Sequence, residues 1–222
     1  MSAASDFLAG GKPRLVTLYT SSTGTYVPTV NNARCLVRIQ AGGGGGYTSS
    51  VGGGGGAMVE VWLRIPVAGL AYVVGAGGAA TVSGSQSSFA HYVACPGLPG
   101  WGAAGPGHGG YMGVSNGVTD GTTNIALLNP GGLVGVAGGH GGYSGSGGLI
   151  GNPMAPNDTS YWLNAGATRE VTNGQGAASG GDSFYGKGGT TGNAPAAAAY
   201  GAGGGANAAG RGGCVEIFDF GA

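Results

Sequence analysis

One short motif places histidine and tyrosine at the same spacing in two parts of the chain. Gly107-His108-Gly109-Gly110-Tyr111 recurs as Gly139-His140-Gly141-Gly142-Tyr143. In an extended helix with three residues per turn, the His and Tyr of each copy face the same way. The two pairs could contact a binding partner, could approach each other and bind a metal, or could cover the outside of a glycine-rich structure. The last alternative is favoured over partner contact, and two histidines without clustered Cys or carboxylates predict no metal site.

Two stretches interrupt the glycine pattern and hold the other groups suited to binding, residues 114–130 and 152–173. The aromatic, amide and charged side chains of the second stretch suit stacking on a sugar ring or contact with an exposed loop of a membrane protein. The alternative, that Tyr161 and Trp162 pack against the scaffold and fix the loop, stays equally open. The candidate binding residues outside the His/Tyr motif are Trp101, Asn157, Asp158, Tyr161, Trp162 and Arg169.

Two enzyme-like motifs carry little weight in so glycine-rich a chain. Residues 113–117 match the G-x-S-x-G pattern of a nucleophile elbow, but no buried strand or ordered triad accompanies them. Residues 181–188 imitate a phosphate-binding loop, yet Gly188 stands where a Ser or Thr would hold magnesium. We therefore expect no enzymatic activity and no cofactor.

Composition limits the class of protein. Of 222 residues 56 are Gly, only 7% are charged, and eight Lys plus Arg balance eight Asp plus Glu. Zero net charge without a basic cluster predicts no binding to nucleic acid, and the absence of a long apolar run predicts no membrane insertion. The first residues lack the pattern of a signal peptide, which predicts synthesis and folding in a cytoplasm. Cys35, Cys95 and Cys214 fit neither a disulfide framework nor a zinc site, so we expect buried free thiols.

Alternation of apolar and polar residues predicts strands at both ends of the chain. No window shows an amphipathic helical stripe with caps. The predicted fold is mainly β, with little or no helix, and contains a small antiparallel sheet or sandwich whose last strand is C-terminal. The expected strands are residues 14–20, 33–40, 57–65, 70–74 and 214–220.

The phase of glycine, more than its frequency, predicts what lies between these strands. When residues 137–149 are read in threes, side chains occupy one phase and glycine nearly fills the other two. A polyproline II-type helix has three residues per turn and no internal hydrogen bonds, so its peptide groups must pair with neighbouring segments. We therefore predict a bundle of polyglycine II helices over residues 42–56 and 96–213, with Gly42 to Gly46 and Gly52 to Gly56 at its centre. The alternative is flexible glycine-rich loops.

The order of these features resembles a known class of virion protein. Arg38-Ile39-Gln40-Ala41 leads into Gly42 to Gly46, a second run follows at Gly52 to Gly56, and Val73-Val74-Gly75-Ala76-Gly77-Gly78 precedes Ser87-Ser88-Phe89. Tyr200-Gly201-Ala202-Gly203-Gly204-Gly205 then leads to the last strand. Over roughly residues 23–222 the chain looks like the glycine-rich domain at the ends of bacteriophage tail fibres, and is similar in principle to the distal adhesins of T-even-like phages.

That resemblance implies a tail-fibre or tail-tip adhesin that recognises the host surface through loops on a rigid scaffold clamped by the sheet. Residues 1–22 would be an attachment segment and residues 23–222 a single domain. The implied partners are other tail or fibre proteins and a host receptor, either a glycan or an outer-membrane protein. The implied location is the virion, with multiple copies and a trimer as one arrangement. The alternatives are a purely structural fibre or decoration protein and, less favoured, a polysaccharide depolymerase.

Overall fold

The computed structural model describes residues 12–47, 51–100, 112–114, 134–136, 138, 179–190 and 192–221. These residues are mainly β and contain no helix, as the sequence predicts. The ten strands are β1 (Leu15–Tyr19), β2 (Thr23–Tyr26), β3 (Ala33–Gln40), β4 (Met58–Ile65), β5 (Leu70–Val73), β6 (Ser87–Phe89), β7 (Tyr92–Ala94), β8 (Met112–Val114), β9 (Val134–Val136) and β10 (Cys214–Asp219).

The strands form two antiparallel sheets. Sheet A has the order β1-β10-β3-β4-β9, and sheet B has the order β2-β5-β6-β7-β8. The C-terminal strand β10 lies between β1 and β3, with Ile217 opposite both Thr17 and Val37. The expectation that the last strand joins strands from the first part of the chain is therefore confirmed. Residues 15–19 of the expected attachment segment form the edge strand of sheet A.

The apolar core lies between the facing sides of the two sheets. Alternate residues of β3, including Val37 and Ile39, are fully buried on the inner side of sheet A, as are Val215 and Ile217 of β10. Phe89 of sheet B is also fully buried in the same cluster. In β3 and β10 one face is thus inside and the other faces outward, which is the arrangement that period-two alternation predicts.

The five predicted strands are observed with their ends shifted by at most one residue. The other five strands were not predicted because each has only three or four residues, too few for an alternation to stand out. Four of them also contain Gly, Ser or Thr, as in β2 (TGTY) and β6 (SSF). Pairing with neighbouring strands defines these short strands, and their own sequences do not reveal it.

A fully buried carboxylate joins the end of β10 to the segment after β2. Asp219 Oδ2 accepts hydrogen bonds from the Tyr26 hydroxyl (2.9 Å) and from the backbone N–H and hydroxyl of Thr29 (3.1 and 3.0 Å), and Oδ1 accepts from the Gly221 N–H (2.8 Å). Burial alone would raise the pKa of Asp219, but these hydrogen bonds together lower it. The carboxylate therefore stabilises the fold above its unfolded pKa of about 4, and this contribution is lost as the pH falls through the lowered folded value.

Candidate functional site

All of the binding residues proposed from the sequence lie outside the described residues. Both interrupting stretches, apart from Val114 at the end of β8, lie there too. The structure describes residues 96–100 and 179–190, which lie on either side of this part of the chain. The residues in question are Trp101, His108, Tyr111, His140, Tyr143, Asn157, Asp158, Tyr161, Trp162 and Arg169.

A continuous run of backbone, residues 42–47, has every peptide group hydrogen-bonded to another segment. We call it the central segment. Its six N–H groups donate to the carbonyls of Ser85, Arg211, Gly54, Val82, Ala208 and Val51 in turn. Its six carbonyls accept from the N–H groups of Gly97, Gly78, Gly204, Gly100, Thr81 and Asn207. The twelve N···O distances lie between 2.8 and 3.1 Å, so no backbone polar group of this run, whose five glycines are buried, lacks a partner.

These hydrogen bonds repeat every three residues. Gly42 and Gly45 donate to one neighbouring stretch, at Ser85 and Val82. Gly43 and Gly46 donate to a second stretch, at Arg211 and Ala208, and Gly44 and Tyr47 donate to a third, at Gly54 and Val51. Three further stretches donate N–H groups to the carbonyls of the central segment. Six stretches thus surround one segment, three running antiparallel and three parallel to it. This period is the one that a polyproline II-type helix imposes, because its peptide groups point outward in three directions.

Glycine is required in the central segment for space. A Cβ placed on Gly44 would lie far inside van der Waals contact with the Leu98 carbonyl oxygen, and one on Gly45 would do the same with the Ala79 carbonyl oxygen. The five glycines of the run do not adopt positive φ, so conformation alone would tolerate alanine there. Backbone packed directly against backbone leaves no room for it.

The second glycine run, residues 52–56, is also completely buried and continues the same arrangement. Gly53 and Gly56 donate to the carbonyls of Gly204 and Gly201, again three residues apart and antiparallel. The Gly181 N–H donates to the Gly53 carbonyl. Both runs therefore lie in the interior, as expected. Most of the predicted bundle over residues 96–213, including the phased residues 137–149, lies outside the described residues and stays a prediction.

Two buried polar side chains connect sheet A to these glycine runs. Gln40 Nε2 donates to the carbonyls of Ala41 (3.2 Å), Gly56 (2.9 Å) and Ala57 (3.1 Å). The Ser87 hydroxyl donates to the Gln40 carbonyl (2.7 Å) and accepts from the Gly75 N–H (2.9 Å). At the point where strand β3 becomes glycine-rich, side-chain hydrogen bonds therefore add to the backbone hydrogen bond from the Ala41 N–H to the Ala57 carbonyl.

A charged and aromatic cluster attaches residues 184–185 to the outer face of sheet A. Arg38 Nε donates to Glu60 Oε2 (2.6 Å), and the Arg38 guanidinium lies 5.6 Å from the centre of the Phe184 ring. The Tyr185 hydroxyl donates to Glu216 Oε2 (2.9 Å). Burial would lower the pKa of Arg38, but the hydrogen bond and charge of Glu60 raise it on balance, so this side chain remains a cation.

A shallow cleft of about 360 Å³ lies beside this cluster. It is lined mostly by Gly and Ala, with Tyr185, Lys187 and Thr190 as its polar side chains. A nucleophile paired with a base is not among these lining residues, so the cleft carries no catalytic assignment. The neighbouring loop, residues 181–188, imitates a phosphate-binding motif. Its Gly188 N–H donates to Asp182 Oδ1 (2.8 Å), so this N–H is already used and is not available to a phosphate.

The three cysteines are free. Cys35 and Cys214 are buried, and burial raises the pKa of each thiol to about 12, which keeps both of them protonated and unreactive. Cys95 is half-buried, and its pKa is also raised by burial. The expectation of free thiols is confirmed, with Cys95 less buried than expected.

Two further searches cover only the described part of the chain. It contains no group of three or more His, Cys, Asp or Glu side chains arranged to hold a metal ion. None of its secondary structure is a helix long and apolar enough to cross a membrane.

Comparison with known proteins assigns no family. The chain matches no protein-family model. It also matches no curated protein.

Proposed function

We propose that this chain is a bacteriophage tail-fibre or tail-tip protein that binds the host cell surface, not an enzyme. Loops displayed on a rigid glycine-rich scaffold would make the contact. The observation that carries the proposal is the central segment, in which twelve backbone hydrogen bonds join residues 42–47 to six other stretches. A scaffold of this kind is what the resemblance to tail-fibre adhesins implies, and the two sheets would clamp it at one end.

The anchoring of the stretch between residues 101 and 178, of which the structure describes only residues 112–114, 134–136 and 138, supports a display role. Just before it, the Gly97 and Gly100 N–H groups donate to the Gly42 and Gly45 carbonyls of the central segment. Just after it, the Gly181 N–H donates to the Gly53 carbonyl. Both ends of the stretch are therefore held by the glycine scaffold, and binding residues often lie on loops that a rigid framework fixes at both ends.

The proposed binding groups all belong to this stretch. Tyr161 and Trp162 can stack on sugar rings or on apolar receptor side chains, while Asn157, Asp158 and Arg169 can supply polar contacts. Several copies in one virion would convert weak individual contacts into strong adsorption. The implied receptor is a host glycan or an outer-membrane protein.

Replacing residues 152–173 with a Gly/Ser sequence of equal length tests this proposal. We expect adsorption of particles carrying the protein to a panel of bacterial cells to fall at least tenfold, because the stacking and polar groups are removed. We also expect thermal unfolding and particle assembly to be unchanged, because the glycine scaffold keeps its hydrogen bonds. The Tyr161→Ala/Trp162→Ala double variant should reproduce most of the loss.

The matched control is Val67→Ser, which changes a side chain that is 60% exposed in the turn between β4 and β5 and should leave adsorption unchanged. Failure of the loop variant to assemble would instead favour the purely structural fibre or decoration protein. Release of reducing sugar from host envelopes by the purified wild-type chain would favour the depolymerase and contradict a non-enzymatic adhesin.

A further inference from the structure

Residues 201–219 are the last of the described segments in the sequence, and we call them the closing segment. They end in β10, which lies between β1 and β3 in sheet A. Five residues of β10, from Val215 to Asp219, pair with β1, and all six residues of the strand pair with β3. Among the described strands, β1 has β10 as its only partner, so β1 cannot join sheet A until β10 is in place.

The closing segment also supplies two of the six stretches around the central segment. Residues 204–207 donate to its carbonyls, residues 208–211 accept from its N–H groups, and each stretch forms two hydrogen bonds. The four pairs are Gly204 with Gly44, Asn207 with Tyr47, Ala208 with Gly46 and Arg211 with Gly43. Four of the twelve hydrogen bonds of the central segment therefore depend on residues that follow residue 200.

Side chains of the closing segment connect it to sheet B as well. Val215 and Ile217 are fully buried in the same core cluster as Phe89 of β6. The Asp219 carboxylate accepts a hydrogen bond from the Tyr26 hydroxyl at the end of β2. One segment of the chain thus contacts sheet A, sheet B and the central segment together.

The central segment depends on these contacts more than a segment with large side chains would. Glycine loses more conformational freedom on folding than any other residue, and it buries no apolar side chain in return. Hydrogen bonds therefore have to hold the run in the interior, and a buried peptide group without a partner is strongly unfavourable. With four of its peptide groups unpaired, the central segment would be more stable in water than in the interior.

We propose that docking of the closing segment is the step that orders sheet A and the central segment, so that neither forms in a chain synthesised only as far as residue 200. Its contacts join distant parts of the sequence, as Asp219 and Tyr26 do across 193 residues. Contacts of such separation form late, because the ends of a long loop must first be brought together. The fold thus makes its own completion depend on the described segment that is synthesised last. The inference goes beyond the proposed receptor binding and does not depend on it.

Labelling of Cys35 on ribosome-bound chains tests the proposal. Cys35 is 0% exposed in β3, where it lies opposite Asp219 of β10. The full-length chain is stalled during synthesis through linkers of increasing length after residue 222, so that the closing segment lies inside the ribosomal tunnel with short linkers and outside it with long ones. N-ethylmaleimide is added, and modified Cys35 is measured by peptide mass. We expect Cys35 to react at least about tenfold faster with the short linkers, because β3 becomes ordered only after the closing segment is released.

Two full-length variants on the longest linker provide a matched comparison. Ile217→Asp places a charge at a fully buried position of β10 and should leave Cys35 as reactive as it is with short linkers. Val67→Asp places the same charge at a side chain that is 60% exposed and should leave Cys35 protected. Protection of Cys35 while the closing segment is still inside the tunnel, or in Ile217→Asp, would overturn the proposal, because β3 would then be ordered without that segment.

Discussion

Replacing Gly45 with alanine is expected to abolish stable folding, with a loss of more than about 3 kcal/mol in the free energy of unfolding. The added Cβ would collide with the Ala79 carbonyl oxygen, and further backbone lies immediately behind it at Ala80. A flexible side chain could rotate away from such a contact. Backbone that is itself hydrogen-bonded cannot, so several of the six flanking stretches would have to separate from the central segment.

Gly212 provides the matched control within the same chain. A Cβ at this position would lie in ordinary contact, 3.5 Å from the nearest atom, the Gly75 carbonyl oxygen, and Gly212 does not adopt positive φ. We expect Gly212→Ala to change the free energy of unfolding by less than about 1 kcal/mol. Urea unfolding of both variants, followed by circular dichroism, measures the difference. Equal tolerance of alanine at Gly45 and Gly212 would contradict close backbone packing in the central segment.

Replacing Gln40 with glutamate is expected to have the second largest effect, about 3–5 kcal/mol at neutral pH. Glutamate has nearly the shape of glutamine, but its carboxylate would replace an amide that donates to three carbonyl oxygens. The site is 0% exposed, so water cannot solvate the charge. The carboxylate would therefore be buried among acceptors, without a donor in the place of Gln40 Nε2.

The pH dependence of the stability of Gln40→Glu separates the effect of the new charge from the effect of the changed side-chain shape. Burial among carbonyls must raise the folded-state pKa of the new carboxyl above its unfolded value of about 4.3, so the destabilisation grows as the pH rises above that value. The difference in unfolding free energy from wild type should consequently shrink as the pH is lowered from 7 towards 4. Asp219 is present in both proteins, so its contribution to the pH dependence of stability cancels from this difference.

Gln40→Met serves as the control of similar size. It removes the same three hydrogen bonds and introduces no charge, so its destabilisation should be smaller and independent of pH over that range. A pH-independent deficit in Gln40→Glu, equal to that of Gln40→Met, would show that the Gln40 amide does not face the carbonyls of Gly56 and Ala57.

The sequence predicted the long strands and the interior glycine runs because each has a simple periodic signal. Residues 33–40 and 58–65 alternate apolar and polar residues, and residues 42–46 and 52–56 have no side chains to place on any surface. The order of the strands within each sheet could not be predicted, because it depends on which strands pair after long connections. The same holds for the partners of the central segment: Arg211 and Ser85 accept hydrogen bonds there without being glycine.

The candidate sites were predictable to different degrees. The His/Tyr motif and the stretch around Tyr161 and Trp162 are visible as sequence patterns, but they lie outside the described residues and stay predictions. The Arg38 cluster was missed for the opposite reason. It combines residues from several strands, and single residues such as Phe184 and Glu216 become neighbours only through the register of sheet A and the fold of the glycine segments.

Amide hydrogen exchange of the wild-type chain tests the central claim, that hydrogen-bonded glycine backbone forms the rigid interior of this protein. Residues 42–46 are buried, and the N–H groups of residues 42–47 each donate at 2.8 to 3.0 Å to another segment. They should therefore exchange only through global unfolding, as slowly as the slowest amides of β3 and β10. Exchange of these glycine amides within minutes, at the rate of flexible Gly-rich loops and much faster than the β-strands, would contradict the account.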